Sequence, residues 1–264
     1  MHSRYGRDVL AAGDAPGGGA LADNRKRDRM KALAMRAMTV PVSVRTSDLP
    51  KRAASAFVML AIAGAALWAG GIWFDIFVVI IAAACLFEAV RLIRRAGRDS
   101  SALTVLIGCG VAILYLAAAS AMLIELPIPV VLGVIAVVVA TDTGAYFSGR
   151  TIGGPKIAPR ISPSKTWAGL AGGMAAAGLV SLGFFYSNVG DRAFSAMGLG
   201  AFAVGAGLAV LAQAGDFLES WLKRKAGMKD SSNLIPGHGG VLDRADGMLP
   251  VAIVAGLLWF FAHP

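Results

Sequence analysis

Charge is scarce in this chain of 264 residues: Asp, Glu, Lys and Arg make up 16% of it, against a hydrophobic fraction of 56% and a mean hydropathy of +0.66. Those values exclude an ordinary soluble globular domain. Cysteine is nearly absent, and both Cys85 and Cys109 lie inside apolar runs, where they serve as small hydrophobes; a disulfide framework and a thiolate metal site are excluded. Basic stripes interleaved with aromatics are missing too, so the net charge of +9 does not point to nucleic acid. There is no repeat of fixed period. The first 52 residues lack both the lysine placement of a phosphate-binding P-loop and the apolar core of a cleavable signal peptide.

What the chain does have is long apolar runs, which make it an all-α, polytopic transmembrane helical bundle. A span takes roughly 20 mostly apolar residues. The run from Ala53 to Val90 is about twice that and must fold back, with Gly70, Gly71 and Asp75 marking the turn. Seven spans are expected, at 53–69, 72–90, 103–123, 128–147, 167–187, 197–215 and 246–262, within a range of six to nine. Lys and Arg number 11 before residue 53, 4 in 91–100, 4 in 149–166 and 5 in 214–247, leaving only Arg192 on the opposite side. By the positive-inside rule the N-terminus and these loops are cytoplasmic. Residues 1–52, with "GDAPGGGALADNRKRDRMK", are expected to form a basic, flexible cytoplasmic arm whose cations can touch anionic headgroups, and residues 53–264 the transmembrane catalytic domain. Small-residue patterns such as "GLAGGMAAAG" indicate close helix packing.

Ionisable groups inside such spans are costly and so call for explanation. Glu88 lies three residues before Arg91 at a helix end, where a local ion pair accounts for it. Asp142, in "ATDTGAYFSGR", lies about 12 Å along its helix from the basic boundary at Arg150 and is expected to organise an intramembrane floor. In "AQAGDFLESWLKRK", Asp216, Glu219 and Ser220 share one helix face with Lys223 a turn further on, a pattern a solvated amphipathic face also gives. Asp243 and Asp246 form a second pair at the start of span seven.

Between the pairs runs a loop rich in Gly, Lys and Arg. Hard carboxylate oxygens suit Mg²⁺, which takes one or two carboxylates plus phosphates and water. Gly239 and Gly240 let backbone N–H groups approach an anion, and Lys223, Arg224, Lys225, Lys229 and Arg244 can neutralise polyphosphate charge. His238 either contacts phosphate or is a structural histidine in a turn, and one histidine cannot make a zinc site. In "GGPKIAPRISPSKTWAG", Ser162, Ser164 or Thr166 can cap span five, and Lys165 at that helix start is either an anion ligand or an ordinary cytoplasmic lysine.

Taken together, "SWLKRKAGMKDSSNLIPGHGGVLDRAD" resembles the signature of the phosphatidate cytidylyltransferases, or CDP-diacylglycerol synthases, with "GDFLES", "DTGAYFSGR" and "ISPSKTWAG" preceding it in the family's order. The similarity covers roughly residues 141–250. Two positions depart from it: Ala168 stands where the family usually has glutamate, and Ala245 replaces a larger residue. The resemblance implies an enzyme moving CMP from CTP to phosphatidate with a mixed Mg²⁺ and K⁺ centre; the Ala, Gly and Arg bias points to a bacterial cytoplasmic membrane, and the basic loops to an active site at its cytoplasmic face. The resemblance would assign Asp216, Asp243, Asp246 and Ser220 to metal, and Lys165, Lys223, Arg224, Lys229, His238, Gly239, Gly240 and Arg244 to phosphates; its partners are lipid, CTP and, in assembly, a second copy as a homodimer. Other readings stay open: another CTP-dependent lipid-phosphate cytidylyltransferase, a polyprenol kinase, or, from Asp142 and Asp216, an ion-coupled transporter.

Overall fold

The computed structural model describes residues 49–263. Its helices are α1 (Leu49–Ala69), α2 (Gly71–Ala96), α3 (Ala102–Glu125), α4 (Ile128–Thr151), α5 (Trp167–Val189), α6 (Ala196–Lys225), the single turn α7 (Leu242–Ala245) and α8 (Met248–Ala262). Six of them, α1 to α6, are long and apolar enough to cross a membrane; α8, with 15 residues, is shorter. The chain is a polytopic all-α integral membrane protein. Most of the expected arm, residues 1–48, lies outside the described residues, and 49–52, expected to belong to it, form the first turn of α1.

The fold-back in the first apolar run is at Gly70, whose φ of 60° is open to glycine at little cost. Asp75, expected at this turn, instead lies within the first turns of α2. Ser101 caps α3 by accepting from the Thr104 N–H at 3.2 Å, and Thr166 caps α5 by accepting from the Gly169 N–H at 3.0 Å. The segment before α5 holds a small antiparallel hairpin, β1 (Lys156–Ala158) and β2 (Ser162–Thr166), where only a rigid loop was expected. A three-residue strand lies below the length at which alternation can be read in a sequence.

Small residues let the central helices approach. A side chain at Gly144 would place its Cβ 2.6 Å from the Gly172 carbonyl oxygen, joining α4 to α5; one at Gly205 would lie 2.5 Å from both the Ala177 carbonyl oxygen and Ser181 Cβ, joining α5 to α6. Around this contact, Val131, Val134, Ala177, Leu208, Ala209 and Val251 form a buried core. A second core of Cys85, Leu92, Leu116, Leu242 and Leu249 ties α2 and α3 to α7 and α8, and Cys85 is fully buried there as a small hydrophobe. Phe57, Leu60 and Trp68 of α1 face outward, as lipid-facing side chains do. α6, with 30 residues, is about 45 Å long and outruns a hydrocarbon core of about 30 Å, which leaves its C-terminal turns to build a site at the membrane boundary.

Two glycines on α6 separate packing from propensity. Gly205→Val should lower stability by about 1–3 kcal/mol through overpacking. Gly207→Ala, with nothing within 4 Å of the added methyl, should raise it by up to about 1 kcal/mol. Thermal unfolding of detergent-purified protein checks both, and equal effects at the two sites would refute the close approach.

Candidate active site

One end of the bundle collects the polar residues. The C-terminal turns of α6 present Gln213, Asp216, Glu219 and Lys223 three or four residues apart, and hence on one face. Lys223 Nζ lies 2.5 Å from Glu219 Oε2 and 2.7 Å from Asp243 Oδ1, so one ammonium is held between two nearly buried carboxylates. Lys165, on β2, forms an ion pair with Asp216 and stands 5.9 Å from the Phe217 ring centre. Arg224 Nε donates to the Ile161 carbonyl at 3.4 Å, which anchors the hairpin to the end of α6.

The loop after α6 returns to the same place. Pro236 and Gly237 (φ 78°) form the tight turn closed by the His238 N–H donating to the Ile235 carbonyl at 3.0 Å. His238 Nδ1 lies 2.9 Å from Ser55 Oγ of α1, and its carbonyl accepts from the Arg244 guanidinium at 2.8 and 3.3 Å. Asp243 accepts from the Gly240 N–H at 2.8 Å, from the Ser231 N–H at 2.9 Å and from the Ser231 hydroxyl at 3.0 Å. The anion that the paired glycines approach in this structure is therefore the protein's own carboxylate. Burial would raise Asp243, but the hydrogen bonds from Lys223, Gly240 and Ser231 outweigh it and hold the carboxyl well below the usual range.

Asp246 meets Asp216 from the linker between α7 and α8. A Cβ at Gly215 would lie 2.1 Å from the Asp246 carbonyl oxygen, and one at Gly247 would lie 3.0 Å from Asp216 Oδ1. Glycine at both positions is what lets the segments touch. Burial, and after it the charge of Asp216, push the Asp246 carboxyl up to about 7. A cavity of about 320 Å³ adjoins this cluster, lined by Asp142, Tyr146, Arg150, Lys165, Thr166 and Gln213 among others.

The predicted residues thus fall into two linked groups. Lys165, Asp216, Asp142 and Asp246 gather about the cavity and the end of α6, while Lys223, Gly239, Gly240 and Asp243 form the wall of the loop. Ser220 is half-buried one turn beyond Asp216, and Arg224 and Lys229 are exposed. No group of three or more His, Cys, Asp or Glu among the described residues is arranged to hold a metal ion unaided. Mg²⁺ takes one or two carboxylates and fills its remaining positions with water and substrate oxygens. Among the described residues the buried Oε1 atoms of Gln213 and Glu219 have no hydrogen-bond partner, and both are hard oxygen donors of the type such an ion takes.

Sequence reasoning missed Glu88. It does not pair with Arg91; it is fully buried, receives hydrogen bonds from the Ser232 hydroxyl and the Val241 and Leu242 N–H groups, and lies 2.8 Å from the Ser231 hydroxyl. The cost of a carboxylate in an apolar helix was a signal, but a nearby arginine offered too easy an answer. Ser55 carried no signal.

Comparison with known proteins agrees with this architecture. The pattern described as "Cytidylyltransferase family" matches residues 50–128 and 127–262, reaching well beyond the motif region at 141–250. The chain belongs to this family. A protein named phosphatidate cytidylyltransferase from Brucella suis is 48% identical over 130 residues, covering 49% of this chain and 46% of that one. Proteins of the same name from Haemophilus influenzae and Pseudomonas aeruginosa are 43% identical over 126 residues (46% of this chain, 42% of theirs) and 41% over 131 (49% and 47%). The matched stretch spans about half the length of these relatives.

Removing the shared ammonium tests the electrostatics. Lys223→Met leaves Glu219 and Asp243 facing each other with no cation and should cost about 3–5 kcal/mol. Adding Glu219→Gln should restore part of the loss. Unfolding of the single and double variants measures this, and additive losses would show that the three groups are not coupled.

Proposed function

We propose that this protein is an integral-membrane nucleotidyltransferase that moves CMP from CTP to phosphatidate, giving CDP-diacylglycerol and pyrophosphate for phospholipid synthesis. The observation that carries the reading is the pairing of Lys165 with Asp216 beside a cavity, two helix turns from Lys223 between Glu219 and Asp243, in a chain of the cytidylyltransferase family. Such a site offers cations to phosphates and carboxylates to a metal. The names of the relatives supply the substrates.

In the reaction a phosphate oxygen of phosphatidate bonds to the α-phosphorus of CTP, the α–β phosphoanhydride bond breaks and pyrophosphate leaves. A phosphate monoester is already anionic near neutral pH, so the site needs no strong base. It must instead overcome repulsion between two polyanions. Lys165 and Arg150 line the cavity and neutralise phosphate charge there, while Lys223 does so at the loop wall. Asp216 and Asp246 would hold Mg²⁺, with Asp243 and Ser220 completing the set; the ion, when bound, supplies further charge neutralisation on the triphosphate. Asp142 faces the cavity from α4 and orients groups at its floor. The basic loops favour the cytoplasmic face of a bacterial membrane for this end of the bundle, where a lipid headgroup is in reach with its acyl chains still in the bilayer.

Detergent-purified protein given labelled CTP, Mg²⁺ and phosphatidate is expected to form CDP-diacylglycerol and pyrophosphate. Formation of CDP with a phosphorylated lipid would mark a kinase, and ion flux in liposomes without turnover a transporter; either overturns the reading. Asp216→Asn should lower kcat by about two orders of magnitude, the scale for loss of one charge-stabilising group.

A metal carboxylate must be ionised to bind its ion. With Asp246 titrating at about 7, Mg²⁺ added without nucleotide should raise the unfolding temperature at lower concentration at pH 8 than at pH 6. The pH dependence should vanish in Asp246→Asn, and its persistence there would remove Asp246 from the ligand set.

A further inference from the structure

Glu88 lies on α2, 143 positions before Ser231 in the sequence, yet it accounts for the shape of the loop at the site. Its Oε1 accepts from the Ser232 hydroxyl at 2.5 Å and the Val241 N–H at 3.1 Å; its Oε2 accepts from the Leu242 N–H at 2.8 Å and faces the Ser231 hydroxyl at 2.8 Å. One carboxylate therefore joins the beginning of the loop, 231–232, to its end, 241–242. The Ser231 hydroxyl, with a single hydrogen, lies between this carboxylate and that of Asp243, and the Ser231 N–H donates to Asp243. Gly240 fills the remaining space: a Cβ there would lie 1.9 Å from Ser231 Oγ and 2.5 Å from Glu88 Oε2.

We propose that Glu88 is a positioning residue for the reaction, whose buried carboxylate closes the loop 231–242 and so sets Asp243 in register with Lys223 and Asp216 on α6. Glu88 touches no substrate. It acts through Ser231 and the first turn of α7, and the proposal rests on the nucleotidyltransferase reading. The chemistry requires a carboxylate in particular. In Glu88→Gln the serine hydroxyls can rotate and accept from the new amide, but a backbone N–H cannot, and one faces each side-chain oxygen. Either orientation of the amide thus sets two donors against each other and loses one backbone bond.

The test uses the full chain with Glu88→Gln and Ser232→Ala, and with Glu88→Ala where it folds. Two measurements are made: hydrogen exchange of the peptides covering 229–247, and steady-state kinetics in CTP and in phosphatidate. In Glu88→Gln the amides of 231, 232, 241 and 242 should exchange about tenfold faster, as for the loss of one hydrogen bond, while those of α3 to α6 stay as in the wild type. The KM for CTP should rise about fivefold or more with that for phosphatidate unchanged. Ser232→Ala, which leaves both backbone donors in place, should show the same changes at smaller size. Loop exchange equal to wild type, or a fall in kcat alone with the KM for CTP unmoved, would overturn the proposal, since simple loss of folded enzyme lowers only the rate. If wild-type protein released no pyrophosphate from CTP in the presence of phosphatidate, the enzymatic reading would fail. The exchange data would then still judge the anchor.

Discussion

A charge near hydrocarbon must be matched, and at this site Lys165 and Lys223 are matched by the protein's own acids. Transfer of an unpaired ion from water to such surroundings costs several kcal/mol even after relaxation. Lys223 settles two carboxylates at once, and Lys165 settles a third from a different part of the chain. This constraint explains why a chain so poor in charge concentrates it at one end of the bundle. Dispersed, the same groups would each carry an uncompensated burial cost; gathered, they neutralise one another and leave a cavity beside them. An arrangement of paired ammonium and carboxylate groups beside a cavity is what the proposed nucleotidyl transfer asks for.

The helices serve that end of the molecule. Tight glycine contacts between α4, α5 and α6 bring Asp142, Lys165 and Gln213 around one cavity, and glycines 215 and 247 let the linker before α8 lie against α6. The second core, under α7, ties Leu242 and Leu249 to α2 and α3. The loop is therefore fixed from below by apolar packing and from the side by Glu88.

The number of apolar helices could be read from the sequence because each needs a long uninterrupted run, and hydropathy records length directly. The acids and bases of the site were legible for a related reason: in so apolar a chain any cluster of charge stands out. Their pairing was not. Spacing along α6 shows that Asp216, Glu219 and Lys223 share a face, but it cannot tell that Lys223 reaches Asp243, 20 positions away, or that Lys165 reaches Asp216, 51 positions away. Glu88 is the clearest case. Its partners lie more than 140 positions later, and a local arginine at helical spacing concealed the need for them. The 15-residue helix α8 and the short hairpin were likewise blurred, because elements that brief leave little periodic pattern.

α6 acts as a ruler. Its functional face is written at 213, 216, 219 and 223 on one continuous helix, and each added residue would turn everything beyond it by about 100°. An insertion or deletion of one position between Gln213 and Lys223 would scatter the face around the cylinder, even with every side chain retained. Length variation between homologous chains should therefore collect in the short connections between helices and leave this stretch untouched.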